Sequence, residues 1–232
     1  MSKFTFDYYQ KIFEVAQRYE YQILTLRDYF KGNYDSSLKV LINRIDVDFN
    51  VNKARTIGEI FQRQKIAGSF FFRLHAPEYN LFAFENVNTL RVLIENGNEI
   101  GLHTELEDMK QICQLSPKEL LRKEIAIFES FYDIKLSGTA AHGGMTGFNN
   151  LDFWKNSSPS EFGLLYEGYD QNLWEKSRYI SDSEWTRWKA YQRGELIEND
   201  RRSPIEHIEQ ESPQLIYLLT HADGYYFKHF YE

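Results

Sequence analysis

The chain has 232 residues, of which 42% are hydrophobic, and its 27 Lys and Arg against 34 Asp and Glu give a formal net charge of −7. This length suits one large domain, and the apolar content can form a sizeable core, which argues against a disordered chain. The acidic balance argues against nucleic acid or an anionic membrane as the main partner.

Cysteine usage and the first residues narrow the class further. Cys113 is the single cysteine, which excludes an internal disulfide and a zinc site of several thiolates. Asp7, Lys11 and Glu14 interrupt any apolar run at the start, and no stretch approaches the roughly 20 apolar residues of a membrane span. We therefore expect a soluble, cytoplasmic protein.

In chain order, the pattern begins with a helix and continues with alternating strands and helices. Apolar residues at steps of three and four predict one helix over residues 6–30, ended by Gly32. Strands are predicted at 38–48, 69–74, 99–103, 136–141 and 214–220, with helices at 52–64, 87–96 and, from a capping box at Ser116, 116–132. The region 143–200 is less regular, with strand-like stretches at 163–166 and 178–180.

Four successive strand–helix units predict a parallel sheet covered by helices. At this length we expect a (β/α) barrel, whole or partial, with a doubly wound open sheet as the alternative. The chain is expected to form a single domain over 1–232, with an N-terminal helical extension over 1–34.

Acidic and imidazole side chains stand where the predicted strands end. Asp46 and Asp48 end the first, and His103, His142 and His221 end three others. A lone Asp there is usually a helix cap and a lone His usually structural, but the carboxyl ends of parallel strands share one face, so the set predicts an active site.

The spacing of the two aspartates places both side chains on one face of the strand, so one carboxylate can bind a divalent cation and the other can act as a general base. Imidazole with carboxylate suits zinc, iron, cobalt or manganese better than magnesium. A Gly-rich phosphate loop and a Gly-x-Ser-x-Gly elbow are both absent from the sequence.

Two segments resemble motifs of the polysaccharide deacetylase family (NodB homology, carbohydrate esterase family 4). They read Arg-Ile-Asp-Val-Asp at 44–48 and Gly-Asn-Glu-Ile-Gly-Leu-His-Thr-Glu at 97–105, similar to a divergent His-Asp-Val-Asp branch. Weaker likenesses follow in order at 141–143, 179–183 and 218–221, so the resemblance spans residues 38–222. It implies a distorted (β/α) barrel, complete or incomplete, of about seven strands.

The resemblance also implies roles for individual residues in metal-dependent removal of an acetyl group from a sugar. Asp46 would be the general base, and Asp48 and His103 would bind the metal, with zinc first and iron, cobalt or manganese as alternatives. His221 would be the general acid, and Asp182 would orient an imidazole or contact substrate.

The chain departs from the family pattern at several positions. The second His expected after His103 is replaced by Glu107, and Ile45 stands where the branch has His. Glu105, Glu107 and His142 remain candidates for the third metal ligand. The Arg and Pro-Tyr of the family's third motif are missing around His142.

The expected substrate is an acylated saccharide or a nucleotide- or lipid-linked sugar precursor. The alternatives are a catalytically degenerate barrel that binds a saccharide or a protein, and a hydrolase of a cyclic amide or phosphodiester on the same metal platform. Sugar stacking or loop packing is predicted for six aromatic residues: Tyr79, Trp154, Tyr166, Tyr169, Trp185 and Trp188.

Overall fold

The computed structural model describes residues 3–183 and 187–228. The helices are α1 Phe6–Arg18, α2 Leu26–Lys31, α3 Val51–Gln64, α4 Phe84–Glu95, α5 Leu106–Cys113, α6 Pro117–Tyr132, α7 Gln171–Lys176 and α8 Pro204–Gln210. The strands are β1 Tyr21–Leu24, β2 Lys39–Val47, β3 Ser69–Phe72, β4 Glu99–Thr104, β5 Gly138–Ala141, β6 Tyr166–Glu167, β7 Arg178–Ser181, β8 Lys189–Gln192, β9 Glu195–Leu196 and β10 Leu215–His221. Short 3-10 helices cover Asn150–Asn156, Pro159–Phe162 and Ala222–Gly224.

The strands of the described residues form one 10-stranded sheet in the order β6-β5-β4-β3-β2-β10-β7-β8-β9, with β1 beside β2. Neighbours from β6 to β7 are parallel, and β8 and β9 continue the sheet antiparallel. Parallel neighbours need crossovers, and α3, α4 and the α5–α6 pair supply them between β2, β3, β4 and β5. The expected α/β class with a mostly parallel sheet is confirmed.

Apolar side chains fill both faces of the sheet, so β2 is buried along nearly its whole length. Leu41, Ile45 and Val47 join the outer core between the sheet and the helices. Val40 and Ile42 join a smaller inner core with residues of β3, β5 and β10. Side chains alternate along a strand, so the even-numbered positions of β2 face the inner core. The polar residues at the end of β2 therefore lie at the carboxyl edge of the sheet, on its inner side.

The prediction of one helix over 6–30 is wrong beyond Arg18. Glu20 adopts a left-handed backbone conformation (φ 62°), and Tyr21–Leu24 then pairs in parallel with β2. A new helix, α2, begins after Thr25, whose side chain accepts a hydrogen bond from the Asp28 N–H. The segment 1–34 is therefore not a purely helical extension, since β1 belongs to the same sheet. Apolar steps of three and four residues did not distinguish a helix from this short strand.

Smaller differences concern one helix cap and several elements that the sequence did not predict. Helix α6 forms as predicted, but the Ser116 side chain makes no capping hydrogen bond, so the predicted capping box is wrong. Helices α5, α7 and α8 and strands β8 and β9 were not predicted. None of the helices in the described part combines the length and apolar character needed to cross a bilayer.

Candidate metal centre

Three side chains, carried by strands β2, β4 and β5, meet at the carboxyl edge of the sheet. Asp48 follows β2, His103 lies near the end of β4, and His142 follows β5. One ligand atom from each lies within 4.8 Å of the other two. His103 Nε2 is 3.4 Å from Asp48 Oδ1, and His142 Nε2 is 3.8 Å from the same oxygen. Ligands bound tetrahedrally at about 2.1 Å would be about 3.4 Å apart, so this spacing fits a zinc-like cation.

One ligand atom of this group, an Asp48 carboxylate oxygen, has no hydrogen-bond partner among the described residues, whereas His103 Nε2 also lies 3.3 Å from Asp46 Oδ2. Asp48 Oδ1 is buried and accepts no hydrogen bond from any described residue. A buried, unpaired carboxylate oxygen is costly unless a cation compensates it. Burial lowers the pKa of His103, although the carboxylates of Asp46 and Asp48 act in the opposite direction. The lowered pKa favours the neutral imidazole, which is the form that binds metals.

A hydrogen bond on the far side of the ring orients His103 toward the centre, and Glu105 lies near the far side of His142. His103 Nδ1 lies 2.9 Å from the Ala140 carbonyl oxygen, to which it donates when neutral, leaving Nε2 as the ligand atom. His142 Nδ1 lies 3.4 Å from Glu105 Oε1, and that oxygen accepts hydrogen bonds from the Arg73 guanidinium at 2.8 and 3.1 Å. The His103 contact is of the kind that orients a metal-binding imidazole, whereas His142 Nδ1 makes no hydrogen bond to the described residues.

The structure separates the three candidates for the third ligand. His142 is brought to Asp48 and His103. Glu107 lies on α5, outside this group, and its carboxylate lies 3.2 Å from Lys110 Nζ. Glu105 contacts His142 rather than joining the group. The geometry thus favours His142, which comes from a neighbouring strand instead of the next helical turn.

Asp46 lies beside this group and is paired with Arg44 on the same strand. The guanidinium donates to both carboxylate oxygens, at 2.9 and 2.7 Å, and both side chains are buried. Burial alone would raise the pKa of Asp46, but Arg44, with His103 and His221, lowers it to about 2. Arg44 was given no role in the sequence interpretation, although its spacing of two from Asp46 was a usable signal.

His221 and Asp182 form a second polar pair at the same edge. His221 Nδ1 lies 2.7 Å from Asp182 Oδ1, and the His221 backbone N–H donates to the same carboxylate. Burial alone would lower the pKa of His221, but Asp182 raises it to about 9. In the pairing of β10 with β2, His221 stands opposite Asp46. Every catalytic and metal candidate except Glu107 therefore lies at this edge.

The backbone around Asp48 is held by groups that the sequence interpretation missed. Asp223 Oδ2 accepts hydrogen bonds from the N–H groups of Asp48 and Phe49, at 3.0 and 2.9 Å. Arg73 donates to the Asp48 carbonyl oxygen, and the Tyr79 hydroxyl donates to the Val47 carbonyl oxygen. A carboxylate two residues after His221 thus positions the turn that carries Asp48.

The six aromatic candidates separate into different environments. Tyr166 and Trp188 are buried in the core, and Tyr79 is committed to the backbone next to Asp48. Trp154 and Tyr169 line a surface cleft. Trp185 lies outside the described residues.

Comparison with known proteins gives similarity only among solved structures. No family model and no curated protein matches the chain. A chitin deacetylase from Colletotrichum lindemuthianum is 19% identical, with a TM-score of 0.35 over 44% of this chain and 45% of its own. A mutant of a CE4 family pseudoenzyme with restored enzymatic activity is 15% identical, with a TM-score of 0.47 over 78% of this chain and 56% of its own. A polysaccharide deacetylase from Bacillus cereus is 12% identical, with a TM-score of 0.49 over 82% of this chain and 91% of its own.

The chain spans about half the length of the first two of these proteins, at 45% and 56%. At identities below 20% and TM-scores below 0.5, these likenesses carry no conclusion about this chain, and its chemistry has to be inferred from the site itself.

Proposed function

We propose that this protein is a metal-dependent hydrolase that removes an acyl group, acetyl in the first instance, from an amino sugar or related saccharide. The observation that carries the proposal is the grouping of Asp48, His103 and His142 beside Asp46 and the His221–Asp182 pair at one sheet edge. The fit of the donor atoms to a zinc-like cation and the motif resemblance support it.

In this proposal Asp48, His103 and His142 hold the cation, which supplies Lewis acidity when bound. Asp46 accepts a proton from the water that attacks the acyl carbon. Burial alone would raise the pKa of Asp46, but Arg44, with His103 and His221, lowers it to about 2, so the carboxylate is unprotonated at neutral pH.

His221 donates a proton to the leaving nitrogen or oxygen. An acid must carry its proton at neutral pH, and Asp182 ensures this by raising the pKa of His221 to about 9. Asp46 and His221 thus have pKa values moved in opposite directions, which is a pattern typical of a base and acid pair.

The second candidate function is a degenerate barrel that binds a saccharide without hydrolysing it. The observation that favours it is the Arg44–Asp46 pair, because both oxygens of the proposed base already accept hydrogen bonds from the guanidinium. The family's second His is also replaced, by Glu107.

One experiment separates the two functions. Bound metal is measured by elemental analysis. Acetate release is measured from N-acetylated chito-oligosaccharides with the wild type, Asp46→Asn and the control Glu59→Gln, whose exposed carboxylate pairs with Arg55 on α3. The hydrolase predicts metal near one equivalent and acetate release that only Asp46→Asn abolishes. A metal-free protein, or equal release by Asp46→Asn, would reject it, and binding of the oligosaccharides without release would establish the degenerate barrel.

A further inference from the structure

His142, the third member of the metal group, stands at the start of a loop that has little order of its own. Strand β5 ends at Ala141, and Gly143 and Gly144 directly follow His142. Glycine loses more backbone freedom than any other residue when its conformation is fixed. A histidine followed by two glycines therefore needs contacts from elsewhere in the molecule to be held as a ligand.

Two hydrogen bonds fix the backbone of His142. Its N–H donates to the carbonyl oxygen of Thr104, the residue after His103, at 2.9 Å. This bond continues the pairing of β5 with β4 and ties the two histidines together. The carbonyl oxygen of His142 accepts a hydrogen bond of 3.2 Å from the side-chain amide of Asn150. The second bond therefore comes from outside the sheet.

Asn150 connects the His142 backbone to helix α5, and its side chain is completely buried. Its amide oxygen accepts hydrogen bonds from the backbone N–H groups of Glu107 and Asp108, at 2.9 and 3.0 Å. Its amide nitrogen donates to Asp108 Oδ2 at 2.7 Å and to the His142 carbonyl oxygen. An amide side chain offers two donors and two acceptor positions, and all four are used here.

Asp108 holds the loop that follows His142. Its buried carboxylate accepts hydrogen bonds from the backbone N–H groups of Met145 and Thr146, at 3.0 and 2.9 Å, and from the Thr146 hydroxyl at 2.7 Å. Hydrogen bonds to an ionised carboxylate are roughly twice as strong as those between neutral groups. Together with the Asn150 amide, these bonds fix the segment 143–149 against the first turn of α5.

This arrangement gives the first turn of α5 an indirect part in the metal group. The turn carries Glu107 in place of the second His of the family pattern, and Glu107 lies outside the metal group. Its backbone N–H and the Asp108 carboxylate instead support the loop from which the third ligand comes.

We propose that Asp108 and Asn150 are positioning residues for the metal group, which act by holding the backbone of His142. The first turn of α5 then contributes to metal affinity through the segment 143–149 and not through a ligand of its own. This inference rests on the proposed function for the assignment of His142 as a ligand.

The test compares zinc affinity with stability in variants of two buried asparagines. Asn150→Ala removes the contacts that hold His142. The matched control is Asn98→Ala, because Asn98 is also buried and joins the Gly68 N–H to the Leu93 carbonyl oxygen, but it precedes β4, at the opposite end of that strand from His103. Both variants are expected to lower the free energy of unfolding in urea. Only Asn150→Ala is expected to weaken zinc binding, about 10–100-fold. Affinity is measured on the full chain with zinc chloride in competition with a chromophoric chelator.

A second variant keeps the test decisive if Asn150→Ala does not fold. Asp108→Asn replaces two acceptor oxygens by one, so the loop N–H groups or the Asn150 amide lose an acceptor. We expect it to weaken zinc binding about 10-fold. Its control is Asp35→Asn, since the Asp35 carboxylate also accepts from a backbone N–H and a hydroxyl, both of Ser37, in the loop before β2. This control is expected to leave zinc affinity unchanged.

The positioning role is overturned if Asn150→Ala or Asp108→Asn folds and keeps the zinc affinity of the wild type, or if Asn98→Ala weakens zinc binding as much as Asn150→Ala. The acetate assay gives a separate result. A wild type that binds zinc but releases no acetate would reject the hydrolase and leave the role of Asp108 and Asn150 in place. A wild type with no zinc affinity would reject both.

Discussion

Replacing Arg44 by methionine is expected to destabilise the protein strongly, because it leaves the buried Asp46 carboxylate without its cation. The Arg44 side chain is 0% exposed and that of Asp46 2% exposed, and the guanidinium donates to both oxygens. Removing one partner of a buried pair typically costs 3–5 kcal/mol. The cost of the unpaired charge has an upper limit of about 4 kcal/mol at pH 7, because a carboxyl group with an ordinary pKa near 4 can take up a proton and become neutral.

For a chain of this length, about 4 kcal/mol corresponds to a fall in Tm of roughly 8–16 °C. Urea unfolding followed by circular dichroism measures the free energy of unfolding directly. The matched control is Arg55→Met, whose pair with Glu59 joins side chains that are 54% and 51% exposed, so its loss should cost less than about 1 kcal/mol.

A double-mutant cycle tests the assigned cause. In an Asp46→Asn background the buried Arg44 guanidinium has already lost its carboxylate partner, so Arg44→Met removes an uncompensated charge there and should cost little or even stabilise the fold. If Arg44→Met is no more destabilising than Arg55→Met, or if its cost is the same with and without the Asp46 carboxylate, the account of this pair is refuted.

Three further predictions concern the metal site and its neighbours. His142→Ala is expected to lose bound metal, whereas Glu107→Gln retains it, as elemental analysis after dialysis would measure. Asp223→Ala should weaken metal binding about 10–100-fold in chelator competition, while Asp223→Asn, which keeps an acceptor oxygen, stays within a fewfold of the wild type. Burial alone would lower the pKa of His221, but Asp182 raises it to about 9. This is above the pKa near 6.5 that His221 has in the unfolded chain. The pair therefore stabilises the fold fully below about pH 6.5, and this contribution is lost as the pH rises through about 9, so Asp182→Asn should flatten the unfolding free energy between about pH 6 and 10.

Each of these predictions has a contrary result. Metal loss from Glu107→Gln but not from His142→Ala would restore the ligand spacing of the family motif. Equal weakening by both Asp223 variants would show that charge, rather than the two backbone hydrogen bonds, supports Asp48. Parallel pH profiles for the wild type and Asp182→Asn would disprove the coupling to His221.

Much of the fold was predictable from local pattern. Strands β2 to β5 and helices α3, α4 and α6 were predicted close to their observed ends, because each carries an apolar period or a clear Gly or Pro boundary. The edge at which Asp48, His103 and His142 meet was also predictable, since parallel strands end on one side of a sheet. Strand β1 was missed because its partner, β2, supplies the backbone pairing that decides against a helix.

The sequence by itself determined the alternation of strands and helices and the position of acids and histidines after strands. Its single cysteine also excluded an internal disulfide and a zinc site of several thiolates. Only the tertiary structure placed His142, rather than Glu105 or Glu107, with Asp48 and His103, paired Arg44 with Asp46, and set Asp223 against the turn that carries Asp48. The physical reason is the sequence distance over which each kind of interaction acts. Periodicity reports the burial of a residue against its own element, whereas a ligand set depends on angstrom-scale distances between residues up to about 175 positions apart, which only packing fixes.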